Sequence, residues 1–222
     1  MAKPWYGALL DQDQLLADDT VDGGHWRPMF VGNSDSPVPV ISVREGDLIH
    51  LNVHNDFGLP SALHWLGFRH YHSQTWNDGA AGVTTYPILP RANWTSVLNT
   101  WDQWGLKWYA DHCTTPLFDG FYGTIWIRPS PERERPYHLV SSDEADIQDM
   151  LDSEASPEHV TIYNYQHRTY DNLLAQLQYD GYEPNCFQSV LINGKQKRTE
   201  ILILFLTKCT RQGPCSLQAG WG

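Results

Sequence analysis

Two short stretches carry one histidine each: Leu63-His64-Trp65-Leu66-Gly67 and Trp108-Tyr109-Ala110-Asp111-His112. Imidazole is a ligand well suited to copper, which heads the divalent affinity series. Residues two apart on a strand point to the same face, roughly 6.6 Å apart along the chain. A strand written His-x-His therefore presents two imidazoles to one side. Two such strands side by side can surround a cluster of metals. Here each stretch keeps one histidine and has an aliphatic residue, Leu66 or Ala110, two positions away. Between them Trp76-Asn77-Asp78-Gly79 supplies a carboxylate, and a carboxylate beside a metal centre can hand on protons. A third pattern, His70-Tyr71-His72, also spells His-x-His.

These residues need strands to position them, and the surrounding pattern is of short strands. Val38 to Val43 reads as one. Arg44-Glu45-Gly46-Asp47 reads as a turn with its glycine at positive φ. Leu48 to Asn55 alternates, with Ile49, Leu51 and Val53 on one face and His50, Asn52 and His54 on the other. Ala62 to Leu66, Trp94 to Leu98, Lys107 to His112 and Tyr122 to Ile127 continue the series. Strands at this spacing, with Gly and Pro between them, predict an antiparallel sandwich or barrel.

Composition excludes several classes. A hydrophobic content of 41% with 18% charged residues describes a globular chain. A net charge of -11 argues against a nucleic-acid or anionic-membrane surface. The four cysteines form no CxxC pair, so a zinc ribbon has no support. No secretory signal is read in Met1 to Leu16, which reads as a weak leader with a short helix through Leu9, Leu10, Leu15 and Leu16. No run is apolar enough for a membrane span. Asn93-Trp94-Thr95 is a glycosylation sequon, relevant only to a secreted protein.

In order and spacing, the two histidine stretches, Trp76 to Gly79 and Tyr86-Pro87-Ile88-Leu89-Pro90 resemble the first cupredoxin domain of a multicopper oxidase. The likeness is to the laccase-like enzymes of fungi. His25-Trp26-Arg27-Pro28-Met29 resembles the opening of such enzymes, and His167-Arg168-Thr169 and Ile192-Asn193-Gly194-Lys195 resemble their second domain. That family writes the two stretches as His-Trp-His-Gly and Trp-Tyr-His-Ser-His.

The resemblance implies an all-β fold: a cupredoxin-like Greek-key β-sandwich, a linker, and an incomplete second cupredoxin domain. Residues 1–24 are then a leader, 25–130 the first domain, 131–158 a linker with an acidic helix capped by Ser141 or Ser142, 159–194 a partial second domain, and 195–222 an aberrant tail. It implies that His64 falls on a ligand of the mononuclear copper and His112 on a ligand of one copper of the coupled pair. Positions 66 and 110 fall on two ligands of the other copper of that pair, and Leu66 and Ala110 have no lone pair to donate. Asp78 falls on the acid that supplies protons to the oxygen-reducing cluster. The His-Cys-His text of the electron-accepting copper, in the family's third domain, does not occur in this chain.

The expected function is a laccase-like copper oxidoreductase acting on phenolic compounds, in fungal pigment or secondary-metabolite biosynthesis, impaired in this short chain and holding copper at partial occupancy. The alternative is a non-catalytic partner of an intact oxidase; a third reading is an inactive relict. Family members are often secreted. Simpler readings stay beside these: His64 and His112 as histidines hydrogen-bonded within the fold, and Asp78-Gly79 as a turn. His70 and His72 are expected in a solvent loop, His50 and His54 on the surface, His167 without a ligand partner, and Cys113 as a lone buried thiol.

Overall fold

A computed structural model describes residues 2–5, 21, 27–70, 75–181 and 187–195. Its first strands are β1 (Ala2–Trp5), β2 (Met29–Gly32), β3 (Val38–Arg44), β4 (Leu48–His54) and β5 (Leu63–Leu66). After a 3-10 turn at Thr75–Asn77 come β6 (Asn93–Asn99), β7 (Gly105–Asp111), a second turn at Pro116–Asp119, and β8 (Tyr122–Arg128). Helix α1 (Glu144–Ala155), strand β9 (Ile162–Tyr165), helix α2 (Tyr170–Asp180) and strand β10 (Ser189–Ile192) follow.

Two sheets make the sandwich. One has the order β3-β8-β7-β5, with β3 parallel to β8 and the other pairs antiparallel; the second is β4-β6. The alternation along β4 decides which side is inside. Ile49 is buried while His50 and Asn52 are exposed. Ile49 and Leu98 from the small sheet meet Trp65, Tyr109, Ile125 and Ile127 from the large one, with Phe57 and Phe121 closing the core. The ring of Phe57 lies edge-on to both Phe30 and Phe121. Such edge-to-face packing suits the aromatic quadrupole. Gly46 takes φ +90, as the turn before β4 requires.

β8 is buried on both faces over Tyr122 to Ile125. A strand covered on one side only would alternate. The second cover comes from residues after the linker. β9 and β10 pair antiparallel, and Tyr165 and Leu191 join Met29 in a second core cluster. The 170–180 segment is helical, and Leu173 is its buried residue.

Two local readings change. The cap of α1 is Asp143, whose side chain accepts from the Ala145 N–H at 2.8 Å, and not Ser141 or Ser142. Ser141 instead donates to Asp146. A carboxylate at that position both caps the helix and meets the positive end of its dipole. Residues 2–5, read as part of a leader, form β1 and pair antiparallel with β2. The helix read through Leu9 to Leu16 lies outside the described residues, as do His25, Trp26, His72, Cys186, Cys209, Cys215 and the 196–222 tail. Among the described residues no helix is long and apolar enough to cross a membrane.

Candidate metal centre

β5 and β7 are neighbours, and their register sets Leu63 against Asp111, His64 against Ala110, Trp65 against Tyr109 and Leu66 against Trp108. Trp65 and Tyr109 turn into the core, their rings 5.5 Å apart. Strand alternation therefore sends His64, Leu66, Trp108 and Ala110 to the opposite face. His112 follows just past β7, held by its backbone N–H to the Ala62 carbonyl at 2.7 Å. The rings of His64 and His112 stand 4.9 Å apart. Sequence spacing assigns a face within each stretch only, and the register between β5 and β7 brings the two histidines together.

Asp111 fixes that register. It is 1% exposed and, by alternation, faces away from His112. Its Oδ2 accepts from the Ser61 hydroxyl at 2.5 Å and the Ala62 N–H at 3.1 Å. Its Oδ1 accepts from the N–H groups of Cys113 and Thr114 at 3.0 and 3.1 Å. One buried carboxylate thus ties the entry to β5 to the exit from β7. Hydrogen bonds to a charged acceptor are the strong ones, which suits a clamp of this kind. The sequence offered one signal for this role: alternation puts 111 on the core side of a strand.

Asp78 is delivered by the turn at Thr75–Asn77. Asn77, 2% exposed, donates to the Val97 carbonyl and accepts from the Ser96 hydroxyl, pinning the turn to β6. Gly79 then passes so close to β5 that a Cβ on it would lie 1.7 Å from the Leu63 carbonyl oxygen, and its φ is +83. Only glycine permits that approach. The result places the Asp78 carbonyl oxygen 2.7 Å, and its Oδ1 3.3 Å, from Nδ1 of His64. The turn reading of Asp78-Gly79 and the acid-beside-histidine reading are both satisfied by one geometry.

His70 is a correction. It was expected in a solvent loop, yet its side chain is 12% exposed and its Nε2 lies 3.1 Å from Oδ1 of Asp78. The reason is that β5 ends at Leu66 and the chain folds back at once over the turn that carries Asp78. Burial lowers the basicity of the His70 imidazole, with the Asp78 carboxylate opposing that shift.

The remaining candidates stay apart. His50 is exposed, and His54 is engaged by Asn93 and Asp56. The His167 ring lies 6.0 Å from Tyr165, far along the chain from the His64 face. Cys113 is a free, half-buried thiol whose pKa is pushed up by burial and then by Asp111. Among the described residues no three His, Cys, Asp or Glu side chains are placed to hold one metal ion. His64 and His112 are two donors, and a complete site takes three or four.

A second feature was not visible in the sequence. A cavity of about 710 Å³ lies between the outer face of β7 and β8 and the β9–α2 unit, lined by Trp108, Phe118, Tyr122, Ile162 and Leu173 among others.

Residues 17–132 match the family model for multicopper oxidases, just over half of the chain. The chain belongs to the multicopper oxidase family. Among curated relatives it is 37% identical over 172 residues to a laccase of Pestalotiopsis fici, covering 78% of this chain and 29% of that protein. It is 32% identical over 169 residues to laccase abr2 of Aspergillus fumigatus, covering 76% and 28%. This multicopper oxidase chain thus spans less than a third of the length of those relatives. Among solved structures it is similar to Fet3p, a multicopper oxidase that functions in iron import, with a TM-score of 0.60 at 19% identity over 79% of this chain and 30% of that one. It is also similar to the L499M mutant of the laccase from B. aclada, with a TM-score of 0.59 at 21% identity over 77% and 28%. These likenesses bear out the cupredoxin fold. Family membership implies copper. The fit of this chain's residues to it is partial: two imidazoles on one face, and aliphatic side chains at the two neighbouring positions.

Proposed function

We propose that this chain supplies the first copper-holding domain of a laccase-like oxidoreductase for phenolic compounds, in fungal pigment or secondary-metabolite biosynthesis, and that its oxygen-reducing chemistry is impaired. Its likeness to proteins named laccases supports the oxidoreductase reading, and the phenolic substrate is what the family resemblance implies. The observation that carries the impairment is the face shared by His64, Leu66, Ala110 and His112, where two imidazole rings stand 4.9 Å apart between centres and two aliphatic residues fill the other positions. His64 and His112 would hold the copper, and Asp78 would stand beside His64 as an acid. Copper at such a site supplies one-electron redox chemistry. On this reading the purified 222-residue chain binds at most one copper and does not oxidise phenols. Metal analysis with three or four tightly held coppers, or phenol-driven consumption of dioxygen, would sink it.

A second reading, a non-catalytic partner of an intact oxidase, is favoured by the apolar rim of the 710 Å³ cavity. Leu106, Trp108, Phe118 and Ile162 there are all more than two-fifths exposed. Contiguous apolar surface of this kind marks interaction sites. Co-elution of the purified chain with a purified laccase-like oxidase supports this reading, and separate elution counts against it.

A further inference from the structure

The Asp78 side chain is engaged from two sides. Its Oδ1 lies 3.3 Å from Nδ1 of His64 and 3.1 Å from Nε2 of His70. The Asp78 carbonyl oxygen faces the same Nδ1 at 2.7 Å. Two oxygens converging on one ring nitrogen require that nitrogen to carry the proton, since neither oxygen can donate. The proton on Nδ1 leaves Nε2 of His64 as the donor nitrogen. His70 comes from the far side. Its Nε2 is buried and makes no hydrogen bond among the described residues, and Asp78 Oδ1 at 3.1 Å is the acidic group beside it. The Asp78 side chain is itself 26% exposed. His64 on one side and His70 on the other are the two imidazoles that flank that carboxylate.

We propose that His70 is a positioning residue for His64: it holds the Asp78 carboxylate against Nδ1, fixing the tautomer and ring orientation that present Nε2 to a metal. The inference rests on the reading of His64 as a copper ligand for its purpose, though not for its geometry. A histidine ligand oriented by a carboxylate is a more basic and better-placed donor, and loss of such a partner costs about 10–100-fold in metal affinity. His70 would act one step further out, through Asp78.

The test compares the full chain with His70→Leu, Asp78→Asn and the double variant. Long-range proton–nitrogen NMR of the metal-free chain reads the His64 ring directly. Wild type is expected to show one tautomer with the proton on Nδ1. Each single variant is expected to shift the His64 nitrogens, and the double variant no further than Asp78→Asn alone, because His70 works through Asp78. Cu(II) titration is expected to follow the same order, with losses of about tenfold or more. His70→Gln, which keeps an N–H donor, is expected to recover most of both readouts. His70→Ala gives the same comparison should leucine disturb the fold. An unchanged His64 spectrum in His70→Leu and His70→Ala, or additive shifts in the double variant, overturns the inference. A wild-type chain that binds no Cu(II) yet shows the shared NMR shift overturns the copper reading and leaves the His70 arrangement standing.

Discussion

Arg27 and Asp119 form an ion pair of 2.6 Å with side chains 2% and 3% exposed. Asp119 also accepts the Tyr170 N–H, and Arg27 lies over the Tyr165 ring while donating to the Arg168 carbonyl. The pair is therefore a buried polar fastening between the first sandwich and the β9–α2 unit, beside the stacked rings of Phe118 on Tyr170 and Tyr122 on Tyr163. Removing one partner leaves the other buried and uncompensated, which costs about 3–5 kcal/mol. Arg27→Met or Asp119→Leu is expected to lower the free energy of urea unfolding by that amount, and protease cleavage is expected to rise first within residues 160–181. Both changes together are expected to cost less than the sum of the two. An unfolding free energy within ~0.5 kcal/mol of wild type for either single variant would show that the joint lies elsewhere.

Gly79 is the closest backbone contact at the candidate centre. Gly79→Ala must push the turn away from Leu63, because the opposing atom is a backbone oxygen. The expected result is a fall in stability of several kcal/mol, since a residue forced into an incompatible backbone conformation is among the costlier substitutions. In any fraction that folds, the His64 Nδ1 resonance should move, because the Asp78 carbonyl has moved with the turn. A stable Gly79→Ala chain with an unaltered His64 signal would contradict the geometry.

Restoring imidazoles tests the copper reading. Leu66→His with Ala110→His adds two donors to the face that holds His64 and His112. The double variant is expected to bind Cu(II) more tightly than wild type, by about tenfold or more, because three or four ligands replace two. It is not expected to oxidise a phenolic dye, since a lone copper site is not the coupled cluster that the family uses. Dye turnover by the 222-residue double variant would refute this. Ala110 is 1% exposed, so Ala110→His needs a check of folding by circular dichroism.

Acid should unfasten the linker before it touches the core. Arg133 holds the Glu45 carboxyl below its usual range, and Arg135 does the same for Glu154. A carboxyl with a lowered folded pKa contributes stability above its ordinary value of 4.5, and that contribution is lost as pH falls through the folded value. Melting temperature is therefore expected to drop as pH is lowered below about 4.5. Arg133→Met and Arg135→Met should flatten that drop while lowering the plateau at pH 7. Equal pH profiles for wild type and both variants would count against the two pairs.

Much of the fold was legible because the chain writes it locally. Strict alternation in Leu48 to His54, and glycines or prolines between apolar runs, gave β3 to β8 to within a residue or two. His64 and His112 were singled out by the likeness of their stretches to the family's two-histidine motifs, and strand periodicity gave each stretch a face. Asp143 as a cap was missed because Ser141, Ser142 and Asp143 are all competent caps, and only the helix start chooses among them.

What the sequence by itself determined is the set of donors: two imidazoles, two aliphatic residues and one acid, in an order that marks the family. What only the tertiary structure decided is who meets whom. His70 looked like loop text, because nothing within six residues of it predicts a carboxylate at its Nε2. That contact exists because Gly79 lets the turn that carries Asp78 approach the backbone of β5, and because Asp111 locks β5 to β7 from the core side. Long-range contacts of this kind are set by the register between strands, which depends on the whole sandwich closing at once and leaves no mark in any one stretch.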